Sequence, residues 1–150
     1  MWNSTKSLTL SIVCTYILIV FLIMLSVLLP FLHNTDLFSG TYIYKNDNFI
    51  SIAPFLYASS IVELVILLTL RKLLLNIKKQ DIFTKQNVKL LRIISWLCFA
   101  AGLILALGGF QSLTLLFVGV VAGFFGLIIR VVKNVIAAAV ELKDDVDYTI

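Results

Sequence analysis

Long apolar runs separated by short polar segments organise this chain. The first run, Leu8 to Leu32, has 25 residues without a charge. A helix needs roughly 20 such residues to cross a bilayer, and a cleavable signal peptide carries far fewer, so this run reads as a retained anchor. The second, Ile52 to Leu70, is interrupted only by Glu63 and closed by Arg71 and Lys72. Ile93 to Ile129 then gives 37 residues with no charged side chain. As a single helix that stretch would be about 55 Å long, nearly twice the hydrocarbon thickness, so it must fold back. Gly108-Gly109-Phe110-Gln111-Ser112 supplies the reversal, because paired glycines and short polar residues break helices readily. The third span starts early if Arg92 snorkels to the headgroups.

The pattern predicts an all-α integral membrane protein forming one membrane domain. Its four transmembrane helices are expected at about 8–32, 52–70, 91–108 and 113–130. An outer loop (33–51), a cytoplasmic amphipathic loop (71–90) and a cytoplasmic tail (131–150) that extends the fourth helix complete the chain.

Charge sets the expected orientation. Of the 12 Lys and Arg residues, only Lys45 falls in the loop between the first two runs. Lys6 precedes the first run. Arg71, Lys72, Lys78, Lys79, Lys85, Lys89 and Arg92 lie between the second and third, and Arg130, Lys133 and Lys143 follow the fourth. Short Lys/Arg-rich loops stay cytoplasmic, which predicts a multi-pass protein of the cell membrane with both termini inside. The net charge of +4 then answers anionic headgroups at the cytoplasmic face and gives no ground for direct nucleic-acid binding. Cys14 and Cys98 sit in apolar runs without redox or metal spacing and read as small packing residues. No cofactor is indicated.

Glu63 is the one ionisable group deep in a span, and a carboxylate there costs on the order of 3 kcal/mol on insertion scales. Ser59 and Ser60 lie one turn away, and counting from the span boundaries puts Cys14 and Thr15 at similar depth, with Ser11 a turn nearer the cytoplasm. That count predicts a polar seam between the first two spans, serving either a transported species or simple hydrogen bonding. Gly119 with Gly123, and Ala122 with Gly126 on an adjoining face, give small-x-x-x-small spacings in the fourth span, and Gly102 with Ala106 does so in the third. Such residues let helix backbones approach, between these two spans or in a homodimer.

His33, Asp36 and Asp47 are too scattered for a metal site. Thr41–Tyr44 and Phe49–Ile52 flank Lys45–Asn48 as a short hairpin or as an aromatic interfacial belt. The cytoplasmic segments carry more information. Lys78, Lys79, Asp81, Phe83, Thr84, Asn87, Lys89 and Arg92 in the loop are candidates for interaction, with Glu141, Asp144, Asp145 and Asp147 in the tail. The loop interleaves Leu73, Leu74, Leu75, Ile77, Ile82 and Phe83 with its cations, as interfacial segments do. Thr84 is a candidate N-cap for the third helix. Val132, Val135, Ile136, Ala139, Val140, Leu142 and Val146 recur at helical spacing, so the tail is an amphipathic helix for the membrane, for the basic loop or for a partner. No nucleophile elbow, phosphate loop, metal quartet or carboxylate pair occurs, and an enzyme is not expected.

Asp81-Ile-Phe-Thr-Lys-Gln-Asn-Val-Lys-Leu-Leu-Arg-Ile-Ile-Ser-Trp96 resembles the central signature of the bacterial membrane family known as domain of unknown function 2975. The ending Glu141-Leu-Lys-Asp-Asp-Val-Asp-Tyr-Thr-Ile150 resembles that family's acidic terminus, and with four spans in matching order the resemblance covers essentially the whole chain. Ile82 departs from the family's usual proline, which removes the rigid turn expected before Phe83. The resemblance transfers no catalytic residue. Genes of this family often adjoin one for a very small helix-turn-helix protein, which implies a membrane component that binds or sequesters a small cytosolic DNA-binding partner. Two other readings compete with it: self-protection against a membrane-active peptide through the outer loop, and a small oligomeric transporter that depends on Glu63.

Overall fold

The computed structural model describes residues 4–33, 48–79 and 82–149. They form four helices: α1 (Ser4–His33), α2 (Asn48–Lys78), α3 (Lys85–Gly108) and α4 (Leu113–Thr149). Each is long and apolar enough to cross a membrane, so the chain is an all-helical, multi-pass membrane protein. Asp81 and residues 34–47 of the expected outer loop lie outside the described residues.

Every helix overruns the apolar stretch that predicts it. α2 starts at Asn48, so Phe49–Ile52 is helical, not the second strand of a hairpin. Ile52 explains this: it is buried against Leu105 of α3 and Leu115 of α4, a contact that helical geometry provides. At its other end α2 continues through Lys78, absorbing much of the segment expected to lie in the interface. Here Leu73 is buried with Leu90, Leu91, Ile94 and Cys98 of α3, and Ile66, Leu70 and Ile77 of α2 pack on the same cluster. The spacing 52, 56, 59, 63, 66, 70, 73, 77 is one continuous stripe of α2, and its apolar members persist past Arg71. Burial on α3 therefore wins over a separate surface segment.

Successive helices pack on one another, α1 on α2, α2 on α3 and α3 on α4, and no other pair of helix backbones comes close among the described residues. α1 is the peripheral member. Only Ile12 and Thr15 are fully buried along its described side chains; Leu8, Ile19, Leu22, Ser26 and Leu29 are half-buried and the others are exposed. Tyr57 of α2 donates its hydroxyl to the Ser26 carbonyl at 3.3 Å, and the Arg71 guanidinium lies 4.8 Å over the Tyr16 ring.

α3 and α4 are joined backbone to backbone. A Cβ on Gly102 would lie 2.8 Å from the Gly119 carbonyl oxygen, and one on Gly119 would lie 2.7 Å from both the Ala106 nitrogen and the Gly102 oxygen. Ser95 crosses the same interface, donating its buried hydroxyl to the Gly126 carbonyl at 2.9 Å. Gly123 differs, since nothing lies within 4 Å of where its Cβ would be. The reversal occupies 109–112, where the Gln111 and Ser112 amides return to the Gly108 carbonyl.

A bracketed turn and a charged cleft at the basic end

The α2–α3 turn is built around Asn87, which is 1% exposed. Thr84 caps α3 in extended geometry (φ −129°, ψ 145°), and its hydroxyl accepts from the Asn87 amide at 3.3 Å. The Asn87 side chain then works in two directions. Its Nδ2 donates to the Ile82 carbonyl at 3.0 Å, and its Oδ1 accepts from Asn76 Nδ2 at 2.9 Å. A single buried amide thus ties the end of α2, the turn and the first turn of α3 together, without a proline at position 82. Burying Asn87 is tolerable because its amide is satisfied. Asn76 escapes a reading based on charge and motif, although an Asn on the apolar stripe between Leu73 and Ile77 is itself a signal of a buried polar contact.

One helical turn further on, α3 faces the extension of α4 across a cleft of about 550 Å³. Lys85, Lys89 and Arg92 line it on the α3 side, and Glu141, Asp144 and Asp145 on the other, with Val88, Ala137 and Val140 between them. Lys85 Nζ approaches Asp144 Oδ2 at 2.9 Å, both well exposed. Ile136 packs on the Leu73–Leu90 cluster and Val140 is buried, so the extension rests on the basic segment. Val135, Leu142 and Val146 remain exposed. Of the residues singled out from sequence, Lys89, Arg92, Glu141, Asp144 and Asp145 converge here. Thr84 and Asn87 serve the turn, Phe83 is exposed beside it, and Lys78 and Lys79 stand exposed at the end of α2. The backbone of Asp147 lies in the last turns of α4.

The expected polar seam does not form. Register explains why: Tyr57 meets Ser26 and Arg71 meets Tyr16, which puts Glu63 level with the turn around Leu22. Thr15 lies instead with Leu70 and Leu74, about two helical turns from that level. The hydroxyls are also committed within their own helices. Thr15 donates to the Ser11 carbonyl at 2.8 Å, and Ser59 and Ser60 donate to the Leu56 carbonyl at 3.0 and 2.8 Å. By the same antiparallel count Glu63 is level with the stretch around Cys98 to Gly102 of α3, within a run that has no charged side chain. Among the described residues no group of His, Cys, Asp and Glu could hold a metal ion.

Residues 44–150 match the family described as protein of unknown function (DUF2975). The chain belongs to the DUF2975 family. The matched part contains α2, α3 and α4, the bracketed turn and the charged cleft, while α1 precedes it. No curated protein and no solved structure matches the chain.

Proposed function

We propose that this DUF2975 member is a non-enzymatic, regulatory protein of the cell membrane, with both termini cytoplasmic, that binds a small cytosolic helix-turn-helix partner in the cleft between α3 and the α4 extension. The supporting observation is the cleft itself, where three cations and three carboxylates face each other across an apolar floor of Val88, Ala137 and Val140. A groove that offers both charge signs around an apolar strip suits an amphipathic helix, which buries its apolar face and finds a partner for charges on either flank. The exposed Lys85–Asp144 pair holds the cleft weakly, as surface ion pairs contribute only about 0–1 kcal/mol, so an incoming helix displaces it at little cost.

Affinity capture of the tagged protein from native membranes, with mass spectrometry of what co-elutes, tests this. The wild type is expected to retain a small DNA-binding protein. A variant with Lys85→Gln and Lys89→Gln that lacks residues 141–150 should lose it, while Lys78→Gln/Lys79→Gln, outside the cleft, should keep it. Recovery of the wild type without such a protein, or equal retention by all three, would overturn the proposal.

A further inference from the structure

On the far side of Arg92, away from the carboxylates, α3 and α4 enclose a second and smaller cleft of about 60 Å³. It is lined by Arg92, Ser95, Trp96, Arg130 and Lys133. Its three cations have no acidic neighbour in the lining. Among the described residues none of them makes an ion pair or hydrogen bond, and the one contact they show is Arg130 stacked 5.5 Å over the Trp96 ring. Arg92 begins where the apolar run of α3 starts, and Arg130 stands where that of α4 ends, so both guanidinium groups lie at the membrane interface. Trp96 is 61% exposed one turn deeper, the position an interfacial indole takes beside lipid headgroups. Just below, the Ser95–Gly126 hydrogen bond clamps the two helices and fixes the spacing of the cations they carry.

We infer that Arg92, Arg130 and Lys133 form a specific site for the phosphodiester of one anionic phospholipid, seated between α3 and α4 at the basic end of the spans. Two planar guanidinium forks on opposing helices suit a phosphate diester, which accepts bidentate hydrogen bonds on its non-bridging oxygens. Lys133 adds a point charge, and the Trp96 indole packs beside the glycerol backbone and upper acyl chains. In this site the phosphate sits at the mouth of the cleft and the acyl chains remain in lipid against the exposed apolar side chains of α4. A basic pocket between helices at this depth is the kind of site that selects lipid headgroups over the general attraction of a charged loop.

The test uses the full chain carrying Trp2→Phe, so that Trp96 is the only indole, in nanodiscs containing phosphatidylglycerol or phosphatidylcholine brominated near the headgroup. Brominated phosphatidylglycerol is expected to quench Trp96 at about a tenfold lower mole fraction than brominated phosphatidylcholine. Arg92→Gln/Arg130→Gln should abolish that preference, whereas Lys78→Gln/Lys79→Gln, which removes the same charge from the exposed end of α2, should keep it. Equal quenching by the two lipids in the unmutated background would overturn the inference without reference to any variant. An equal loss in both double variants would reduce the effect to general surface charge and overturn it as well. Inorganic phosphate at low millimolar concentration is expected not to relieve the quenching; full relief would make the ligand free phosphate and overturn the lipid assignment.

Discussion

The two antiparallel helix pairs of this chain are held by different physics. Between α3 and α4, glycines bring backbone against backbone and Ser95 donates across the interface to the Gly126 carbonyl. Between α1 and α2, large apolar side chains leave α1 mostly exposed, and two isolated polar contacts, Tyr57 to Ser26 and Arg71 over Tyr16, mark the register. In lipid, apolar side chains gain little by meeting each other, because the acyl chains they replace are equally apolar. Close backbone approach and hydrogen bonds therefore decide which helices form a unit. α2, α3 and α4 thus make up the packed body, and α1 is an apolar helix leaning against it. The family match, which starts at residue 44, follows the same division.

The sharpest way to break the contrast is to fill the α3–α4 seam. Gly119→Leu drives its Cβ to within 2.7 Å of two backbone atoms of α3, and is expected to destabilise by about 3 kcal/mol, the upper range for overpacking. Gly123→Ala, at a position with open space, should change stability by less than about 0.5 kcal/mol. Unfolding by SDS titration in mixed micelles, followed by circular dichroism, compares the two. Similar losses would show that Gly119 is not at a backbone contact.

Asn87→Ala is expected to come next. It removes the side-chain hydrogen bonds to Asn76 and Ile82 and strands the Asn76 amide and the Ile82 carbonyl, costing about 2 kcal/mol. The same titration measures it, and hydrogen exchange at the α2–α3 turn should rise while exchange in the Gly102–Gly119 region stays slow. Ser95→Ala follows, expected at about 0.6 kcal/mol, the average for a hydrogen bond between membrane helices. Ser59→Ala is its matched control. Ser59 is equally buried, but its hydroxyl serves its own helix, so the loss should be smaller still.

Span number was legible in the sequence because lipid leaves no alternative: an apolar run of helix length must be satisfied by its own backbone hydrogen bonds. Helix limits were less so. Arg71 and Lys72 look like a stop, yet Leu73 and Ile77 continue the buried stripe, and only the facing Leu90, Leu91 and Ile94 reveal why the helix goes on. Depth counted from hydropathy boundaries also misleads about register, since α1 and α2 slide freely until particular contacts such as Tyr57–Ser26 fix them; the seam joining Thr15 and Glu63 failed for that reason. Asn87 and Thr84 lay inside a recognisable motif, but their work as a bracket depends on Asn76, eleven residues away in the chain. The meeting of Lys85, Lys89 and Arg92 with Glu141, Asp144 and Asp145 was foreshadowed by complementary charge. The separate role of Arg130 and Lys133 was not, because orientation alone accounts for cations at the end of a span.

The peripheral position of α1 has a mechanical side. Its apolar span, Lys6–Phe31, has 26 residues and so measures about 39 Å along its axis, against a hydrocarbon layer of about 30 Å. A helix that is too long for its bilayer tilts to hide the excess, and the tilt follows bilayer thickness. α3 and α4 cannot answer independently, because their backbones interlock. Among the described residues α1 rests on α2 alone, so a change in membrane thickness is expected to be taken up at that one contact.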